Sequence, residues 1–196
     1  MFLSVKKSVA ALAIVAGLSS AALSVQAAET YKFDTEHTSV VFAVSHLGFS
    51  NFQGRFGGID GELVLDRDAP ANSSLTVTID LTAVDSGVAA LDGHLQTPDF
   101  FNTAEFPTAT FKSTSVELTG DKTAKVTGDL TLHGVTSPVT LDVTLNGEGA
   151  HPMSGLYIAG FSATGTVTRS AFGMNYLVPA VGDDVELRIE SEWVRQ

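Results

Sequence analysis

The sequence predicts an all-β domain of about eight antiparallel strands, and three observations support this prediction. Apolar and polar residues alternate with a period of two along most of the chain, whereas the 3.6-residue period of an amphipathic helix is almost absent. Turn-forming residues such as Gly120 and Asp121 separate the alternating runs. A count of about eight strands suits either a closed barrel or a two-sheet sandwich.

The first 27 residues predict a signal peptide. Lys6 and Lys7 precede an apolar run over residues 9–18, and small residues follow as far as Ala27. A transmembrane anchor is the alternative, but the run is shorter than the roughly 18 apolar residues that a membrane-spanning helix needs. We therefore expect cleavage near Ala27 and export to the periplasm. Residues 28–196 then form one domain by size.

The strand pattern occurs in eight stretches. In the sixth, Val139, Leu141 and Val143 alternate with threonines and an aspartate, so one face of the strand is apolar and the other meets water. The expected strands, in chain order, are residues 31–47, 53–65, 75–81, 107–118, 126–132, 139–145, 157–169 and 185–193.

One segment, residues 86–107, breaks the strand rhythm. Within it, residues 88–96 are expected to form a short helix before an irregular aromatic stretch. A connection of this length is uncommon unless it has a function. We therefore expect it to be a lid or plug.

Net charge argues against a nucleic-acid partner, and cysteine content excludes disulfide bonds. The chain has 22 acidic and 11 basic residues, for a net charge of −11. Loss of the signal peptide removes two lysines and no acid, which leaves −13. A surface this acidic repels phosphate backbones, so no nucleic-acid partner is expected. The absence of cysteine excludes disulfides.

Two histidines flank the first strand pattern. If residues 37–47 form one unbroken strand, His46 shares a face with Val44, while His37 lies on the opposite face, so the two cannot bind one metal together. Arg169 likewise ends the apolar face of its strand. In a barrel, the side chains of His46 and Arg169 could lie at a rim beside the polar head of a ligand. From the residues alone, the preferred interpretation is that each extends to water or bonds a neighbouring carboxylate.

Catalytic and metal-binding motifs are weak. There is no HExxH sequence, and His94, His133 and His151 lie on different elements. Residues 48–52 and 160–164 begin like nucleophile elbows but lack the closing glycine. Neither a catalytic residue, a metal site nor a cofactor is expected from these patterns.

Four stretches, in order along the chain, resemble the motifs of a known family. They read FDTEHTSVVFAVSHLGFSNFQGRF, HLQTPDFFNTAEFPTATFKS, GDLTLHGVTSPVTL and VTRSAFGMNY. Together they resemble the YceI-like, polyisoprenoid-binding proteins, and the similarity spans essentially all of residues 28–196.

The resemblance implies a lipocalin-like, eight-stranded antiparallel barrel in the periplasm that holds a polyisoprenoid or related long-chain lipid in its lumen without catalysis. Members are commonly described as stress-linked. The resemblance leaves a transient membrane contact and a homodimer open. The candidate ligand-binding residues are Phe42, Val44, His46, Phe49, Phe52, Phe56, His94, Phe100, Phe101, Phe111, Phe161, Arg169, Phe172 and Tyr176.

Two other functions stay open at this point. One is an enzyme that acts on the bound lipid through His46, His94 or Arg169. The other is a structural barrel without a ligand, whose phenylalanines fill its centre.

Overall fold

The computed structural model describes residues 28–196, and the expected signal peptide, residues 1–27, lies outside them. This part of the chain folds into eleven strand segments and one α-helix, α1, at Ala89–Leu95, with three short 3₁₀ helices. No helix in it has the length and apolar composition needed to cross a membrane. The strand segments are β1 Glu29–Phe33, β2 Ser39–His46, β3 Ser50–Phe56, β4 Ile59–Leu65, β5 Ser74–Asp80, β6 Val84–Asp85, β7 Thr108–Leu118, β8 Thr123–Leu132, β9 Val135–Ala150, β10 Tyr157–Thr168 and β11 Val181–Arg195.

The strand pairings close the sheet into a barrel. All neighbouring segments are antiparallel, and the order runs β1-β4-β5-β7-β8-β9-β10-β11 before β11 pairs again with β1. Segments β2, β3 and β6 extend β1, β4 and β5, because β2 pairs with β11 and β3, and β3 pairs with β6. The result is a closed antiparallel barrel of eight strands, as the resemblance implied.

Three of the eight barrel strands are interrupted, two of them inside runs that the sequence predicted to be continuous. The first breaks at residues 34–38, between β1 and β2, and the second at Gly57 and Gly58, between β3 and β4. The third is broken by a 3₁₀ turn at Leu81–Ala83. His37 therefore lies in a bend outside β2, and its position is set by that bend and not by strand alternation.

The apolar side chains of each strand point into the barrel. In β10, Ala159, Ala163 and Val167 are buried, whereas the threonines between them face water. Gly54 in β3 shows how tightly the wall is packed: a Cβ there would lie 2.4 Å from the ring of Phe42 on the neighbouring strand.

The segment between β6 and β7 covers one end of the barrel. Ser86 donates hydrogen bonds from its backbone nitrogen (2.7 Å) and its hydroxyl (2.5 Å) to Asp92, which fix the start of α1. Leu95, at the end of α1, is buried against Phe42 and Val84. The sequence-based expectation of one short helical lid segment is thus confirmed.

Candidate functional site

An apolar cavity of about 140 Å³ lies inside the barrel beneath α1. Its walls come from β2, β3, β5, β7, β8, β10 and β11, because the inward positions of these strands carry apolar side chains at this level. Among residues 28–196, Arg169 is the single charged residue in the lining. The lining residues are Val40, Phe42, Val44, Phe56, Ile79, Leu81, Leu95, Phe100, Phe101, Ala109, Leu130, Leu132, Val167, Arg169, Met174, Val181, Val185 and Leu187.

The lid segment, residues 86–107, closes this cavity with aromatic rings. Phe101 packs edge-on against Phe56 with ring centroids 5.5 Å apart, and Phe56 packs against Phe42 at 5.2 Å. Phe100 also lines the cavity, and its ring meets Tyr176 at 5.5 Å. A chain of aromatic contacts therefore holds the lid against the barrel wall.

Arg169 is buried, and its guanidinium is bonded to backbone carbonyl oxygens. Nε donates to Gly182 at 2.8 Å and Nη1 donates to Met174 at 2.8 Å. Nη2 donates to both Tyr176 and Val181 at 2.9 Å. Four N–H···O bonds thus hold the rim loop, defined as residues 173–180, against β11.

The electrostatic setting of Arg169 follows from this burial. Burial lowers the pKa of Arg169 from its ordinary value, and the nearby negative charge of Asp183 acts in the opposite direction. Hydrogen bonds from the hydroxyl and backbone N–H of Ser170 lower the pKa of Asp183. The arginine therefore acts in this structure as a brace for the loop, with most of its donors already used.

The opposite end of the barrel is sealed by a charged network. Arg67 donates to Glu29 and to the Tyr31 hydroxyl, and its Nη2 bonds Glu148 at 2.7 Å. The guanidinium of Arg195 lies 4.1 Å from the centroid of the Tyr157 ring. The hydrogen bond from Arg67 lowers the pKa of Glu29 to about 2. An apolar ligand would meet charged groups at this end, so the lid end is the more favourable entrance.

Six of the fourteen candidate ligand-binding residues line the cavity: Phe42, Val44, Phe56, Phe100, Phe101 and Arg169. Phe111 and Phe172 are buried in the neighbouring core, and Phe161 packs near Trp193 towards the sealed end. These three aromatic rings support the wall but do not line the cavity.

The remaining five candidates lie at or outside the lid end. His46 is exposed at the end of β2, next to the hairpin turn that carries Phe49, and Phe52 is half-buried on β3. His94 and Tyr176 contact each other at 5.7 Å between ring centroids, and both contact Phe100 from outside. His94 also lies 3.4 Å from a carboxylate oxygen of Asp99.

Most of the aliphatic lining is absent from the candidate residues predicted from the sequence. Ile79, Leu81 and Leu187 sit on apolar faces that alternation already predicted, so the signal was present. Alternation does not distinguish residues that line an empty volume from residues that pack against each other. Ala109, Met174 and Val181 carried no such signal, because small or loop residues are not marked by periodicity.

A cluster that sequence reasoning missed lies on the outer wall, at the break between β1 and β2. Oxygen or nitrogen atoms of Asp34, His37 and Glu192 lie within 4.8 Å of one another, a spacing compatible with a metal ion. The Asp34 carboxylate lies 3.0 Å from His37 Nδ1 and raises the pKa of that histidine. Protonation of His37 opposes metal binding, and the cluster is separate from the cavity lining.

The chain is similar to known proteins over nearly its full length. Residues 31–193 match the family described as YceI-like domain. The chain is 42% identical to Protein YceI of Escherichia coli O157:H7, over 97% of this chain and 99% of that protein. The YCEI protein of Campylobacter jejuni has a similar structure, with a TM-score of 0.70 and 32% identity over 78% of this chain and 90% of that one.

A more distant structural neighbour is a polyisoprenoid binding domain from Saccharophagus degradans implicated in plant cell wall breakdown. It has a TM-score of 0.59 and covers 86% of this chain and 99% of that one. Its sequence identity is 15%, so this similarity concerns the fold alone.

Proposed function

The chain belongs to the YceI-like family, and from that premise we propose that its barrel is a periplasmic, non-catalytic carrier of a long-chain polyisoprenoid or related lipid. The observation that carries the proposal is the cavity within the barrel, whose lining is apolar apart from Arg169. Burial of each methylene there stabilises the complex by about 0.8 kcal/mol. The choice of ligand class follows from the resemblance of the four sequence motifs to the polyisoprenoid-binding proteins.

The cavity volume bears on how such a ligand is held. An apolar cavity of about 150 Å³ is filled by one benzene molecule. The 140 Å³ found here therefore takes roughly one isoprene-sized group while the lid is closed. We propose that the rest of a longer chain enters when the lid segment moves outward, as lids do in other binding sites.

The polar groups at the cavity favour binding over catalysis. Arg169 is bonded to four backbone carbonyl groups, and neither His46 nor His94 lines the cavity. A general acid or base must reach its proton within about 3 Å or through one water. Within the described part of the chain, Arg169 is the charged group that lines the cavity, and its donors are directed at the protein backbone.

Native mass spectrometry of the protein, purified without detergent from its own exported compartment, tests the proposal. We expect one prenyl or acyl species per barrel, released by organic extraction and identified by its mass. We also expect tolerance for chain length, because one methylene changes affinity in an apolar pocket by only about 1–3 kcal/mol. A protein that stays ligand-free when challenged with prenyl alcohols would contradict the proposal.

A further inference from the structure

Two turns at the lid end of the barrel present apolar side chains to water. The turn between β2 and β3 carries Phe49, which is 89% exposed, and Leu47, which is half exposed. The rim loop carries Leu177, also half exposed, and Tyr176. The two turns are joined, because the backbone N–H of Leu47 donates to the carbonyl oxygen of Ala180 at 2.8 Å. These four side chains are termed the mouth patch.

The backbone makes the choice of leucine at these turns unusual. Leu47 has a φ of 54° and Leu177 a φ of 56°, both in the left-handed region. Glycine or asparagine adopts this conformation with less strain and leaves no apolar side chain in water. Folding of the isolated domain therefore does not account for two exposed leucines here. A surface that covers both leucines would account for their exposure.

Acidic residues are missing from the chain around the mouth patch. The protein has twice as many acidic as basic residues, yet residues 37–59 and 169–182 contain no aspartate or glutamate. The nearest lid carboxylates are engaged locally, since Asp92 accepts hydrogen bonds from Ser86 and Asp99 lies beside His94. The two segments that form the mouth patch therefore bring no carboxylate of their own to a membrane surface, and Asp99 and Asp183 are the acidic residues that lie nearby.

The mouth patch adjoins the cavity. Val181, which lines the cavity, pairs with His46 at the start of the β2–β3 turn and donates its backbone N–H to Leu177. Tyr176 contacts Phe100, which lines the cavity from the lid. An apolar chain leaving a bilayer at the mouth patch would reach the cavity without crossing water.

We infer that the mouth patch docks on the surface of a lipid bilayer, with Phe49, Leu47 and Leu177 inserted at the acyl boundary and Tyr176 at the headgroup level. Aromatic and aliphatic side chains on protruding turns suit a planar apolar surface, and tyrosine is enriched at membrane interfaces. The inference rests on the proposed function, because it gives the lipid a route into the cavity. It goes further by assigning the surface through which exchange occurs.

Flotation with phosphatidylcholine vesicles tests the inference, using Phe49→Ser and, as a matched control, Met153→Ser. Met153 is 88% exposed but sits in the turn before β10, at the sealed end of the barrel. Full burial of a phenylalanine side chain corresponds to a factor of about ten or more in partitioning. We expect Phe49→Ser to reduce vesicle binding by about that factor, whereas Met153→Ser binds like the unaltered protein.

Three outcomes would overturn the inference. The first is equal loss of vesicle binding in both variants, and the second is no vesicle binding by the unaltered protein. The third is a concentration-dependent dimer, seen by light scattering, that Phe49→Ser dissociates while neither protein binds vesicles; the mouth patch would then be an interface between copies.

Lipid uptake without a bilayer separates this inference from the proposed function. A prenyl alcohol delivered from a cyclodextrin complex should load Phe49→Ser as it loads the unaltered protein, while loading from vesicles falls. If cyclodextrin delivery loads neither protein, the proposed function is wrong. If it loads both and the vesicle results do not differ, only the docking inference is wrong.

Discussion

The guanidinium of Arg169 donates a hydrogen bond of 2.9 Å to the backbone carbonyl oxygen of Tyr176, which joins the inner wall of the barrel to the outer rim of its mouth. Arg169, a charged side chain at the end of an apolar strand face, thus stabilises the rim loop. The same contact places the ring of Tyr176 against Phe100 of the lid. Arg169 therefore links the barrel wall to the rim loop directly, and to the lid through the ring of Tyr176.

Replacing Arg169 should destabilise the protein. Arg169→Met leaves four backbone carbonyl groups without their donor, and hydrogen bonds to charged groups contribute about 1.5–3 kcal/mol each. We expect the free energy of unfolding in urea to fall by about 3 kcal/mol or more. Arg188→Met, on the exposed face of β11, is the control and should stay within about 0.5 kcal/mol. Similar losses in both variants would rule out the brace role of Arg169.

Filling the cavity should block lipid uptake without unfolding the barrel. Ala109 is 3% exposed and lines the cavity from β7, so Ala109→Leu places its added methyl groups in the empty volume. We expect binding of a prenyl alcohol, followed by native mass spectrometry, to weaken at least about tenfold. Thr110→Leu, the next residue on the outer face, should bind normally. Undiminished binding by Ala109→Leu would place the ligand elsewhere.

Removing a ring from the lid should loosen the lid more than the barrel. Phe101→Ala deletes the contact with Phe56, and we expect faster hydrogen exchange in α1 with a loss of about 2 kcal/mol in local stability. Phe33→Ala is the matched control, because it deletes the contact with Trp193 at the other end of the barrel. Exchange in α1 that responds equally to both variants would mean that the lid opens only with global unfolding.

Acid should weaken the sealed end of the barrel. The folded-state pKa of Glu29 is about 2, below its ordinary value of 4.5, so its contribution to stability is complete above pH 4.5 and is lost as the pH falls towards 2. Glu29→Gln should lower stability at neutral pH and flatten the decline between pH 4.5 and 2. Thermal unfolding across this range measures both effects. Glu186→Gln, on the exposed face of β11, should keep the steeper decline.

Most of the fold was predictable from the chain, but the site was predictable only in part. Alternation located all eight barrel strands, and the length of the segment over residues 86–107 indicated the lid. The breaks at 34–38 and Gly57–Gly58 were not predicted, because each lies between two stretches that keep the strand pattern. Phe49 and Phe111 were grouped as candidate ligand contacts, yet one is exposed at a turn and the other is buried in the core.

The fold class, the inward faces of the strands and the family could be predicted from the amino-acid order alone, because side-chain alternation and local motifs are properties of the linear chain. Which inward residues border an empty volume emerged only from the folded structure, since that depends on how opposite walls meet across the barrel. The folded structure also decided what Arg169 does. Its partners are carbonyl groups of residues 174, 176, 181 and 182, and backbone acceptors have no signature in the sequence until the chain has folded around them.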